Sequence, residues 1–174
     1  MKVEGSALFR GQKKVTEVLG QDSTLLTLLN GHFSKTANIN LKLWNKYKMD
    51  IENYISLTIT DATQKITFLN ADPQHIKVKI FLKLNARVDE YPKDRLDSYE
   101  IAQINKQSSA NLNEQAKSVI RHIQQHNTDI FGIGRKYQSH YFKQGKRLKW
   151  REVYPSIEII PDIHVKISQI GIVD

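Results

Sequence analysis

The sequence contains no cysteine. That absence excludes disulfide scaffolds, thiol catalysis, iron–sulfur clusters and cysteine-based zinc sites. Eight glycines and four prolines in 174 residues exclude collagen-like and Pro/Gly-rich low-complexity chains. No run approaches the roughly 18 consecutive apolar residues of a membrane-spanning helix. The opening MKVEGSALFRG has no apolar signal core, because Glu4, Gly5 and Arg10 interrupt it. Acidic residues are also scarce: 18 Asp and Glu stand against 26 Lys and Arg, for a net charge of +8. Such a surplus favours an anionic partner, whether nucleic acid, an anionic membrane surface or an acidic protein, and it equally suits plain solubility.

What is present is ordinary globular material, 40% hydrophobic and 25% charged. The length predicts a single domain spanning 1–174. A strand pattern that starts near residue 4 is early for a complete protein, so the chain reads as a domain excised from a longer one.

Period-two alternation dominates the first half. Gly5 to Leu19 reads as a hairpin, with Ala7 and Phe9 on one side, a turn at Gly11-Gln12, and Val15 and Val18 on the second strand. Leu25, Leu26, Leu28 and Leu29 follow on a short helix that Asp22 or Ser23 can cap and Gly31 can end. Ile39, Leu41 and Leu43, then Ile55, Leu57 and Ile59, alternate with polar residues. The longest alternation, Ile76 to Val88, predicts a strand paired with the segment before it through a turn at Asn70 to Pro73. These are antiparallel strands with one face in water.

After Pro92 the period changes. Leu112, Ala116, Val119, Ile120 and Ile123 predict an amphipathic helix over about Ala110 to Gln125, preceded by a shorter one near Tyr99 to Gln107. Another helix is expected over Gly134 to Lys143, broken at Gln144-Gly145, with one more turn near Trp150 and Val153. Ile157, Ile159, Ile163, Val165 and Ile167 give a closing strand, expected to kink at Pro161-Asp162. The fold class is therefore α+β: a twisted antiparallel β-sheet with one face covered by a long amphipathic helix and shorter helices, plus a closing C-terminal strand.

Catalytic constellations are not evident. GIGRK (Gly132 to Lys136) has too few glycines for a phosphate loop and lacks its Lys-Ser/Thr ending. His122 and His126 stand at i, i+4, a spacing that can share a metal, yet Ile123 occupies the position where a zincin carries Glu, and no third ligand is near. A solvated helix face is the simpler account. Asp89 and Glu90 are adjacent on a strand and point to opposite faces, which makes a poor acid/base pair; Asp94 and Asp97 lie in the following loop. His164 reads as surface. No enzyme, metal or cofactor is called for.

One segment is chemically distinctive. Arg135, Lys136, Lys143, Lys146, Arg147, Lys149 and Arg151 are interleaved with Tyr137, Tyr141, Phe142 and Trp150. Cations mixed with aromatics can grip and stack nucleic acid or sit at an anionic membrane interface. They also describe a helix whose aromatics pack on the sheet while its cations stay in water. Lys77, Lys79 and Lys83 on the polar sheet face are similarly open in meaning.

Several motifs, in order, resemble the C-terminal domain of the Ger(x)C family, the C subunits of GerA-type spore nutrient-germinant receptors. GSALFRGQKKVTEVL (Gly5 to Leu19) is similar to the family's opening hairpin, and Val88-Asp89-Glu90-Tyr91 to its sheet-to-helix junction. TDIFGIG (Thr128 to Gly134) resembles its Asp-apolar-apolar-Gly-apolar-Gly after a long polar helix. Trp150, the strand Ile157 to Ile167 and Gly171 resemble its ending.

The resemblance carries over Asp129, Gly132, Gly134 and Trp150 as structural signatures. It implies a non-enzymatic receptor subunit, acting in germination through contacts with integral-membrane A and B subunits on the outer face of the inner spore membrane. The family's lipid-modified Cys is missing from this chain, so the anchor would belong to a longer protein. An anionic membrane surface is a candidate contact for Arg135 to Arg151, nucleic acid is the disfavoured alternative, and any small-molecule ligand stays open.

Overall fold

The computed structural model describes residues 5–33, 35–43, 53–90 and 96–170. Glu4, Tyr91, Pro92, Asp94 and Gly171 lie outside the described residues. A two-stranded hairpin, β1 (Gly5–Arg10) and β2 (Lys13–Leu19), leads into helix α1 (Gly20–Leu29). Then come β3 (Ala37–Lys42), β4 (Tyr54–Asn70) and β5 (Lys77–Glu90), followed by the long helix α2 (Ser98–Gln125). Three short helices, α3 (Ile133–His140), α4 (Phe142–Gly145) and α5 (Trp150–Val153), and a 3-10 turn at Tyr154–Ser156 precede β6 (Glu158–Ile170).

The other four strands form one sheet in the order β3-β4-β5-β6. β3, β4 and β5 pair antiparallel, as their alternation implies. The β4–β5 connection closes at the expected turn, where the Asn70 side chain accepts from Asp72 N and the Asp72 side chain accepts from Gln74 N. Val78, Ile80, Leu82, Leu84, Ala86 and Val88 are buried on one sheet face, against the leucines of α1 and the Ile104–Ile123 stripe of α2. Lys77, Lys79, Lys83 and Arg87 stand on the opposite face, where ion pairs link Lys77 to Glu158 and Lys79 to Asp162.

The structure corrects several expectations. β6, whose direction the alternation left open, runs parallel to β5, because the chain between them crosses over through helices. No register shift occurs at Pro161; the one in this pair lies between Ala86 and Arg87. Glu158 N donates to Ile76 O, so even-numbered N–H groups of β6 face β5 and odd-numbered ones face outward. Pro161, which has no N–H, thus stands where the ladder loses nothing, and its ring takes an inward position in the alternation.

The two helices expected on either side of residues 108–109 are one helix. Asp97 caps it, accepting from Glu100 N at 2.7 Å, with Glu100 reaching back to Asp97 N. Ser108 is small enough to be buried in the interface, and Ser109 turns its hydroxyl to β6, so neither breaks the helix.

In the hairpin the buried face is inverted: Leu8 is buried while Phe9 is 56% exposed, on either side of a register shift between them. α1 starts at Gly20, ahead of both expected caps, and has Leu19 at the cap position with no side-chain bond. Asp22 accepts from Gln115 Nε2, and Ser23 bonds Ser6. Its end matches expectation: Gly31 at φ +75° closes a Schellman motif, with His32 N bonded to Thr27 O and Gly31 N to Leu28 O. α3 runs Ile133–His140, and the helical stretch breaks at Tyr141 rather than Gln144-Gly145. Gly145 instead packs against Gln138, where an added Cβ would lie 2.8 Å from Cα.

Candidate functional site

The region from Thr128 to Tyr154 is built outward from one carboxylate. Asp129 follows the end of α2, which is closed by Asn127 in the left-handed conformation at φ 51°. Asp129 Oδ1 accepts from Ile133 N at 2.9 Å, and Oδ2 accepts from Gly134 N at 2.7 Å. Oδ2 also accepts from Trp150 Nε1 at 2.9 Å. One side chain therefore satisfies two orphan amides at the start of α3 and pins an indole 21 residues away in sequence.

The glycines in the motif serve the same assembly. Gly132 caps α3 at φ 62°, a conformation costly for residues with a Cβ. At Gly134 an added Cβ would fall 2.5 Å from Trp150 Nε1, so the indole can lie on the helix only over glycine. Asp129, Gly132, Gly134 and Trp150 thus form one contiguous unit.

Behind it the aromatics pack as a column. Tyr137 stacks on Trp150 with ring centroids 6.0 Å apart, and Trp150 lies 6.1 Å from Tyr154. Phe68 of β4 meets Tyr137 and Tyr141 edge-on at 5.6 and 5.7 Å. The buried hydroxyls are partnered: Tyr137 donates to Ala71 O at 2.6 Å and Tyr154 to Thr128 O at 3.0 Å. Burial pushes the phenol pKa of Tyr137 up, with Tyr141 and Asp72 adding to the effect. Burial raises that of Tyr154 strongly, with Asp129 adding to it. Both stay neutral donors.

All seven cations of the segment point to solvent. Arg135 and Lys136 lie on α3; Lys143 lies on α4, with Lys146 and Arg147 just after it. Lys149 pairs with Glu152 across 3.2 Å in an exposed bridge, and Arg151 sits on α5. Lys146 Nζ lies 5.7 Å from the Phe142 ring centre. Phe142 is 68% exposed, whereas Tyr137 and Tyr154 are fully buried and Trp150 is partly so. Tyr137, Trp150 and Tyr154 are the floor of the segment, and the cations with Phe142 are its outer surface. Phe142, with Lys143, Lys146, Arg147 and Leu148, borders a shallow groove that reaches Pro73 in the β4–β5 turn.

Elsewhere the geometry offers less chemistry. His122 is half-buried rather than solvated: its Nε2 meets Thr16 Oγ1 at 2.9 Å, tying α2 to the hairpin. Its ring is 4.6 Å from that of His126, whose Nδ1 contacts His122 O. No group of three or more metal-binding side chains occurs among the described residues. Asp89 accepts from Thr58 Oγ1 and Arg87 Nε, an internal arrangement on β5 and its neighbour. His164 is exposed and bonds Asp162 at 2.8 Å.

Sequence reasoning missed two features. α2 carries a second stripe beside its apolar one: Asn105, Ser109 and Asn113, at i, i+4 and i+8, accept from Ile167 N, Val165 N and Ile163 N. Asn113 Nδ2 also donates to Ile163 O. The helix thereby hydrogen-bonds the outer edge of β6 and closes that side of the sheet. The only signal was three short polar residues at helical spacing, which read as a solvated face. The other feature is a groove beside β4, bounded by Gln64 and Ile66 on one side and Arg135 and Lys136 on the other.

Comparison with known proteins places this geometry. The family model described as spore germination B3/GerAC like, C-terminal, matches residues 4–171. A crystal structure of the GerBC protein superposes with a TM-score of 0.80 at 16% identity, covering 96% of this chain. The chain spans 52% of the GerBC chain. No curated protein sequence matches.

Proposed function

The chain belongs to the family of spore germination B3/GerAC-like C-terminal domains, and from that premise we propose that it serves as part of a nutrient-germinant receptor C subunit in spore germination. The role is non-enzymatic. It works through protein–protein contacts with the integral-membrane A and B subunits, at the outer face of the inner spore membrane. No helix among the described residues is long and apolar enough to cross a membrane; attachment would come from a lipid anchor on the full-length protein.

The observation that carries the contact assignment is the division of labour in Arg135 to Arg151. The aromatics and the Asp129 clamp hold three short helices in place, and every cation faces outward. A basic surface beside a membrane gains roughly 1 kcal/mol per Lys or Arg near anionic headgroups. The same division weighs against nucleic acid: base stacking favours several free aromatic faces, yet Tyr137, Tyr154 and Trp150 are engaged with one another and with the fold, which leaves Phe142 as the segment's exposed ring.

The test is charge reversal in the full-length protein, with Lys146, Arg147 and Lys149 each changed to Glu. Association with the partner subunits, or with vesicles containing anionic lipid, should weaken while the unfolding transition stays in place. Unchanged association would remove this segment from the contact surface. Retention on DNA at about 50 mM salt with a steep salt dependence would favour the nucleic-acid alternative.

A further inference from the structure

Among the described residues β4 is paired on only one side along most of its length. β3 covers it from Tyr54 to Ile59, whereas β5 pairs with it from Ser56 to Asn70. Among the described residues no strand neighbours the other side of β4 past Ile59.

The direction of the free groups follows from the neighbouring ladders. Glu158 N donates to Ile76 O, so even residues of β5 face β6 and odd ones face β4. The odd residues Asn85, Lys83, Phe81 and Lys79 lie opposite Asp61, Thr63, Lys65 and Thr67. The backbone N–H and C=O of Ala62, Gln64, Ile66 and Phe68 therefore point outward from the sheet. Among the described residues no hydrogen bond reaches those backbone groups, although the Gln64 side chain donates to Leu29 O.

Beside this edge lies the groove noted above, about 520 Å³, floored by Ile66, Ile130 and Phe131. Its polar wall holds Arg135, Lys136 and His140 from α3, and among the described residues no carboxylate lines it. Lys65 stands exposed on the opposite sheet face of the same edge. Arg135, Lys136 and Lys65 have no ion-pair partner among the described residues.

We propose that the free edge of β4 from Ala62 to Phe68 receives an extended acidic segment of a partner protein, which adds a strand to the sheet. The main-chain groups of the edge would supply affinity. On the groove face of the incoming strand an apolar side chain would cover Ile66 and Phe131 and a carboxylate would meet Arg135 and Lys136, while carboxylates at alternate positions would meet Lys65 on the other face. This is strand addition with charge selection. A second copy of this chain is a poor occupant, since pairing edge to edge would bring these cations against their own copies. The inference rests on the contact reading above and gives it a mode and a partner chemistry.

The test uses this chain and two labelled peptides of about eight residues, the length of an ordinary strand. One carries Glu on both faces of the strand, interspersed with Val and Thr; the other carries Lys in place of Glu. Fluorescence anisotropy should show binding of the acidic peptide only, with amide NMR shifts concentrated at Ala62 to Phe68. Ala62→Pro removes an outward N–H without costing a bond to β5, and should weaken binding about tenfold. Arg135→Glu with Lys136→Glu, both on the surface, should weaken it at least as much and leave folding intact. Equal binding of both peptides, shifts confined to other residues, indifference to both variants, or a dimer formed through this edge would each overturn the proposal. None of these outcomes bears on charge reversal at Lys146, Arg147 and Lys149, so the broader contact reading stands or falls separately.

Discussion

Removing the Asp129 carboxylate should destabilise the protein markedly. In Asp129→Ala three donors lose their acceptor: Ile133 N, Gly134 N and Trp150 Nε1. Hydrogen bonds to a charged group contribute roughly 1.5–3 kcal/mol each, and this side chain is only half-buried, so the low end applies. Water can reach part of the site, which brings the expected loss to about 3 kcal/mol. For a chain of this size that corresponds to a fall in Tm of roughly 6–12 °C.

Asp129→Asn provides an internal control. Its carbonyl can still accept from Gly134 and Trp150, but its NH2 then faces Ile133 N–H, donor against donor. Its loss should be smaller than that of Asp129→Ala, about 1–2 kcal/mol. Urea unfolding followed by far-UV circular dichroism gives the free energies, and Trp150 fluorescence reports whether the indole leaves its place. A loss below about 1 kcal/mol for Asp129→Ala would refute the view that this carboxylate organises the segment.

Gly134→Ala should act on the same unit from the other side, displacing the indole from Asp129 by forcing a Cβ into it; a red-shifted Trp emission and a cost of about 1–3 kcal/mol are expected, and an unchanged spectrum would contradict the packing. Asn113→Ala leaves both Ile163 N and Ile163 O at the β6 edge without their side-chain partner. It should cost about 2–4 kcal/mol and speed hydrogen exchange in β6 ahead of β4. At Asp162 burial alone would raise the carboxyl pKa, yet hydrogen bonds with His164 and Lys79 outweigh it and hold the value below the ordinary range. The stabilisation is therefore complete above the unfolded value near 4 and is lost as pH falls through the folded one. Asp162→Asn should flatten that acid limb of the stability profile, and an identical limb in the variant would dismiss the pairing.

The parts of the fold written in side-chain periodicity were legible. Ile76, Val78, Ile80, Leu82, Leu84, Ala86 and Val88 keep the alternation, and the structure buries each of them, while Phe81 stands half-buried on the other face. Direction is not written there: nothing in Ile157 to Ile167 says whether the strand runs with β5 or against it, although the long helical connection before it required a crossover. Polar residues with internal partners were the harder class. Asn105, Ser109, Asn113 and Asp22 look like solvent-facing or capping residues in sequence, and each is committed to a partner far along the chain.

The hairpin misled for a related reason. Ala7 and Phe9 are the more conspicuous apolar pair, but a register shift after Leu8 and the position of α1 decide which side is covered. At the candidate site the residues came together as a unit although they were nominated by resemblance, because Asp129 and Trp150 lie 21 positions apart and no spacing rule links them. The free edge of β4 was invisible in sequence, since it depends on β3 being shorter than the strand it pairs with.

The central claim, that this domain serves a germinant receptor through its outward cations, is tested most directly in spores. The full-length protein carrying Lys146→Glu, Arg147→Glu and Lys149→Glu would replace the natural copy, with its abundance checked by immunoblot. The account predicts a slowed or lost response to the nutrient that this receptor serves, read as the fall in optical density, while germination by a trigger that bypasses nutrient receptors proceeds at the normal rate. A normal nutrient response at normal abundance would contradict it.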